Sequence, residues 1–79
     1  MPEFPVDAPK AKVLKALGRL GFQLVREAEF VAMIYQNMDG SRTPLTLPNH
    51  TRIKGSTLRT VCTQARIPRE DFLRAYEQA

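Results

Sequence analysis

The sequence predicts an α+β domain in which a three-stranded antiparallel sheet carries helices on one face, in the order α-β-β-β-α-α. Three observations lead there. Apolar residues recur at helical spacing in two segments, 13–20 and 58–65. Three runs of strand-forming residues lie between them. An Asp39-Gly40 turn, a strong hairpin signal, joins the second run to the third. At 79 residues the chain makes one domain, 1–79, with residues 1–6 as an N-terminal arm because Pro2 and Pro5 block a helix there.

Asp7 is placed to cap the first helix, and Pro9 is tolerable in its first turn, where a missing N–H costs nothing. Val13, Leu14, Leu17 and Leu20 form one apolar stripe. Lys10, Lys12, Lys15 and Arg19 fall mostly off it and predict a cationic outer surface. Gly21 supplies a left-handed residue to end the helix. "FQLVRE" is the first strand, with Phe22 and Leu24 on one side and Gln23 and Val25 on the other. "FVAMIYQN" is apolar on both sides, so it predicts the central strand. "RTPLTLPN" holds Pro44 and Pro48, which lack ladder donors, so it predicts an edge strand or one with these prolines at its ends, with Leu45 and Leu47 pointing one way and Thr46 the other. "NHTRIKG" reads as a loop. Ser56 then caps a helix to about Ala65 whose inward stripe is Leu58, Val61, Cys62 and Ala65. Pro68 opens a last helix with Glu70 and Asp71 in its first turn, where the helix dipole favours negative charge, and Phe72, Leu73 and Tyr76 dock it.

Twelve Lys and Arg against eight Asp and Glu give a net charge of +4. Such a balance suits a polyanion such as nucleic acid, or an acidic protein; spare surface lysines on an ordinary soluble domain would give it too. One cysteine, Cys62, excludes an internal disulfide, and its place on the apolar stripe reads as a small core residue rather than a reactive thiol. A metal site built from Cys62 and His50 would lack two ligands, so neither metal nor cofactor is expected. No apolar run approaches the roughly 20 residues that span a bilayer. The start "MPEFPVDAPK" lacks the basic opening and apolar stretch of a signal peptide, which with the lone thiol points to the cytoplasm. A core this small yields only about 3–5 kcal/mol, which favours a partner chain.

The element order, with its basic helix faces, is similar to that of double-stranded-RNA-binding domains, which read RNA by shape through 2′-OH and phosphate contacts. A closer likeness lies in five ordered segments: "LGRLGFQLVRE" (17–27), "EFVAMIY" (29–35), "LPNH" (47–50), "IKGSTLRTV" (53–61) and "IPREDFL" (67–73). In this order and at these separations the chain resembles the HicA toxin family, small mRNA-cleaving partners of HicB antitoxins, over roughly residues 10–76. The family shows "LxxLGF" on a basic helix, a histidine motif opening the second strand, a strand ending "(V/M)PxH", a lysine, a helix starting "GTLR" and a last helix often reading "EEF". The resemblance implies a double-stranded-RNA-binding-domain-like fold, a metal-independent endoribonuclease acting on mRNA, and a HicB-type antitoxin as partner. Two departures stand out. Phe30 occupies the position of the family's catalytic histidine, and no histidine precedes His50. Arg66 stands where the family has glycine, which costs about 1 kcal/mol or more if the helix ends there in a left-handed turn.

Metal-free RNA cleavage needs a base for the 2′-OH proton and an acid for the departing 5′ oxygen, and histidine suits both near neutrality. Phe30 exchanges no proton, although it can fill the same space and stack on a base. A strand aromatic otherwise serves to pack. The resemblance therefore implies a folded, RNA-competent and essentially inactive chain. An inactivating substitution, a natural pseudo-toxin kept for binding, and an enzyme with another acid–base set would each account for Phe30. His50 is the one substitute catalyst, or else a loop histidine bonded to backbone or to a partner. Lys54 matches the family's lysine and, with Arg52, is a candidate phosphate contact. Ser56 and Thr57 begin a helix, which attracts anions but is also an ordinary cap. Lys10, Lys12 and Lys15 are candidates to track RNA phosphates. A non-catalytic RNA-binding module of the same fold and a protein-binding adaptor remain the alternatives.

Overall fold

The apolar stripe of the first helical segment folds as α1 (Lys10–Arg19), which buries Val13, Ala16 and Leu17. The computed structural model describes residues 4–79, so the first half of the expected arm, residues 1–3, lies outside the described residues. Before α1 runs a short strand, β1 (Asp7–Pro9), and after it come β2 (Gln23–Glu27), β3 (Phe30–Gln36), β4 (Arg42–Pro48), β5 (Arg52–Lys54), α2 (Gly55–Gln64) and α3 (Arg69–Gln78). The main sheet is three-stranded and antiparallel in the order β2-β3-β4, while β1 and β5 form a separate two-stranded ladder. The domain is thus a small α+β fold.

β3 is central and β4 an edge, as the sequence predicts. Val31 and Met33 of β3 and Leu45 and Leu47 of β4 are buried beneath the helices, and Thr46 is exposed. Pro44 and Pro48 lie opposite Ile34 and Phe30, on a strand whose other side pairs with nothing in the sheet, so their missing donors cost no internal bond. The hairpin closes with Asn37 N–H donating to the Ser41 carbonyl at 2.8 Å, and Gly40 takes the left-handed conformation at φ 91°.

Three expectations need correction. Asp7 does not cap α1; Pro9 holds that position with no side-chain bond, because Asp7 is used in the ladder opposite Lys54. The "NHTRIKG" segment is not all loop, since Arg52–Lys54 form β5 against β1. Ser56 does not cap α2; the cap residue is Lys54, and the helix starts at Gly55, whose N–H donates to the Val6 carbonyl at 2.9 Å. A Cβ built on Gly55 would sit 2.6 Å from the Pro5 carbonyl oxygen, so only glycine lets the arm lie this close. The arm continues into the core: the Phe4 and Phe72 ring centroids are 5.9 Å apart.

Two helices end alike. After α1, Phe22 N–H reaches the Leu17 carbonyl and Gly21 N–H that of Gly18, with Gly21 at φ 103°. After α2, Ile67 N–H reaches Cys62 and Arg66 N–H reaches Thr63, with Arg66 at φ 58°. Both pairs of bonds satisfy carbonyls that the helix leaves open. Leu58, Val61, Cys62 and Ala65 are buried, as are Phe72 and Leu73, and no polar side chain among the described residues is buried with them. No helix among the described residues is long and apolar enough to cross a membrane.

Candidate functional site

The strand alternation that buries Val31 and Met33 sends Phe30, Ala32 and Ile34 to the face of the sheet turned away from the core. Ala32 and Ile34 are half-buried there, and Phe30 is 59% exposed. Phe30 opens β3 directly after a two-residue turn, Ala28-Glu29, and lies opposite Pro48. Arg26 pairs with Ala32 on the same face. Arg26, Ala28, Glu29, Phe30 and Ala32 line a shallow depression of about 420 Å³. An aromatic ring, a guanidinium and a carboxylate thus share one open surface over the Ala32 floor, where a planar group could stack on the ring and meet the guanidinium.

Beyond Pro48 the chain turns through Asn49 and His50. Asn49 is built into the fold. Its Nδ2 donates to the Ala28 carbonyl at 2.6 Å, its backbone N–H to the Glu29 carbonyl at 3.3 Å, and its Oδ1 accepts from Lys10 Nζ at 2.6 Å. Lys10 Nζ also donates to Glu27 Oε2 at 3.2 Å. Lys10, a candidate phosphate contact, makes both of these bonds within the molecule, with its side chain 25% exposed. His50 is exposed, two residues past the partner of Phe30.

The other basic candidates lie elsewhere. Arg52 Nε is 3.7 Å from Asp7 Oδ2, both side chains being about half exposed. Lys54 is exposed opposite Asp7, and Lys54, Ser56 and Arg59 border a hollow of about 610 Å³ at the start of α2, together with Phe4, Val6, Asp7 and Gly55. Ser56 is exposed there with its side chain making no cap bond. On α1, Lys12 Nζ sits 4.5 Å over the Tyr76 ring, and Lys15 is exposed. The structure therefore groups Phe30 with Pro48 and the Asn49–His50 turn, and groups Arg52 with Lys54 and Ser56 around β5. Lys12 and Lys15 stand apart on the helix layer.

Sequence reasoning missed Arg26 and Asn49. Regular alternation along β2 would put Arg26 on the side of Phe22 and Leu24; a register shift is what brings it beside Ala32 on the open face. That shift, between Leu24 and Arg26, breaks the alternation at Val25, and every residue of β2 is exposed. Phe22 and Leu24, expected on one side of the strand, differ in burial: Phe22 is buried and Leu24 is 53% exposed. No local signal marks Asn49, whose partners lie 21 and 39 residues away.

The displaced titrations lie away from Phe30. Burial pushes the Cys62 thiol up to about 11. The Ser41 hydroxyl, and then its backbone N–H, hold the exposed Asp39 carboxyl below its ordinary value. Neither a family model, nor a curated protein, nor a solved structure matches this chain.

Proposed function

We propose that this chain is a HicA-type toxin that grips mRNA but does not cut it: the product of an mRNA-interferase design whose catalytic imidazole is replaced by Phe30. The observation that carries the reading is the exposure of Phe30 on the open sheet face. A residue there meets a ligand rather than the core. Phenylalanine supplies stacking and no proton transfer. Arg26 beside it and His50 past Pro48 would meet phosphates there, and Arg52, Lys54 and Ser56 around β5 would offer a second, separate set of contacts. The double-stranded-RNA-binding-domain-like arrangement belongs to this reading, as do a cytoplasmic setting and a metal-independent endoribonuclease ancestry.

A HicB-type antitoxin is the partner this reading requires. Phe30 on the open face, and Leu24 and Val25 along the β2 edge, are large, apolar and more than half exposed, and a covering chain would withdraw such side chains from water. The net charge of +4 favours rapid association with an acidic surface.

Restoring the imidazole tests the reading. Expression of a Phe30→His chain is expected to arrest growth and fragment mRNA, whereas the unmodified chain does neither. A gel shift with single-stranded RNA is expected to show binding that weakens steeply as salt rises, because phosphate contacts release counterions. A chain that binds RNA and stays inert as Phe30→His would be the plain RNA-binding module. One that binds no RNA at any salt would be the adaptor.

A further inference from the structure

The turn that presents Phe30 is short and has little reason to be rigid. Ala28 and Glu29 are exposed, and β2 behind them buries nothing. Within the turn, one bond runs from Ala28 N–H to the Phe30 carbonyl at 3.1 Å. Carbonyls in such a connection ordinarily bond to water and exchange rapidly. Here both turn carbonyls are taken by one residue of another strand end, Asn49, through its side-chain amide and its backbone N–H. The amide is itself oriented, because Lys10 Nζ bonds its oxygen at 2.6 Å and leaves the nitrogen facing Ala28. A lysine at the first position of a helix opposes the helix dipole, and ordering its side chain costs entropy. Its place at the start of α1 is offset by the bonds to Asn49 and Glu27, which also tie down the last residue of β2.

We infer that Asn49, oriented by Lys10, is a positioning residue that fixes the Ala28-Glu29 turn and thereby sets where residue 30 stands. The Lys10 charge serves this clamp and not a phosphate. The consequence for RNA rests on the proposed function, whereas the consequence for the turn does not.

The chain contains no tryptophan, so Phe30→Trp places a single indole, excited at wavelengths the two tyrosines do not absorb, at the position in question. Adding Asn49→Ala to that chain is expected to lower the fluorescence anisotropy of the introduced indole and raise its quenching by acrylamide, with far-UV circular dichroism unchanged. Asn49→Asp is the second variant, in case alanine fails to fold. It keeps an acceptor for Lys10 but sets a carboxylate against the Ala28 carbonyl, and the same loosening is expected. In the Phe30 background, either Asn49 variant should weaken binding of a short fluorescein-labelled single-stranded RNA about fivefold, the worth of one positioning hydrogen bond. Lys10→Met should weaken it comparably while leaving the slope of affinity against salt unchanged. A direct phosphate contact would instead flatten that slope by about 0.7.

Unchanged indole anisotropy and quenching in folded Asn49 variants would overturn the inference. A flattened salt slope in Lys10→Met would overturn the part assigned to Lys10. If the unmodified chain binds no RNA, the proposed function falls, and the indole readings still decide whether Asn49 holds the turn.

Discussion

Arg66 occupies a conformation that an L side chain enters at a cost. Its φ of 58° is the one positive value outside glycine among the described residues. The end of α1 solves the same problem with Gly21 and the same two hydrogen bonds. Arg66→Gly is therefore expected to stabilise the domain by about 1 kcal/mol, read as a rise in the midpoint of urea unfolding with an unchanged slope. A fall in the midpoint would mean that the arginine side chain makes up for its backbone. Cys62 carries a second residue-scale consequence. Its thiol titrates at about 11 in the fold against 9.0 for an unperturbed group. The folded state thus holds the proton more tightly, and the stability this contributes is present below pH ~9 and fades as pH rises through the folded value. Stability should decline between those limits in the parent and decline less in Cys62→Ala. At pH ~8 the native thiol should react with a disulfide reagent far more slowly than in the unfolded chain. Both residues were legible in part. Cys62 lay on an apolar stripe, and Arg66 followed a helix that had to end.

At the scale of elements, what the sequence revealed depended on period and length. α1, α2, α3 and β3 carry enough turns or alternations to announce themselves, and Pro44 and Pro48 placed β4 at an edge. β1 and β5 have three residues each, too few for a period, and their pairing joins segments far apart in sequence. β2 has the length, but its irregularity at Val25 defeats alternation. The start of α2 was misread because serine is a frequent cap and glycine is not a helix former. What decides it is the arm, whose Val6 carbonyl takes the Gly55 N–H and whose Pro5 leaves no room for a Cβ. Gly55→Ala is accordingly expected to push the arm off the start of α2 and to cost about 1–3 kcal/mol, the usual range for overpacking. Loss of stability should be accompanied by faster amide exchange at Ala8 and Gly55. An alanine variant as stable as the parent, with those amides still protected, would show that the arm moves aside freely.

Over the whole molecule, helices cover one face of the main sheet and leave the other open, with Phe30 near one end of it. This layout separates the core from the candidate surface. The buried residues, from Ala8 to Ala75, build the fold, and none of them lines the surface that Phe30, Arg26 and Ala32 present. The candidate site was therefore only half legible. A resemblance of ordered motifs pointed to position 30, and that position does face solvent. The cations around it could not be assigned from sequence, since Lys10 looked as free as Lys15 until its partners Glu27 and Asn49 were in place. On the proposed function, a companion chain would add stability to so small a domain and cover the exposed Phe30.

The proposal that this fold retains an RNA-gripping surface without the group that cleaves is tested most directly by one comparison: the rate at which the purified unmodified chain and the purified Phe30→His chain cut a labelled mRNA in the presence of a chelator. The unmodified chain is expected to show no cleavage above background, and the variant to cut faster by about 10²-fold or more, the least that general acid–base catalysis contributes. Cleavage by the unmodified chain as fast as by Phe30→His would contradict it.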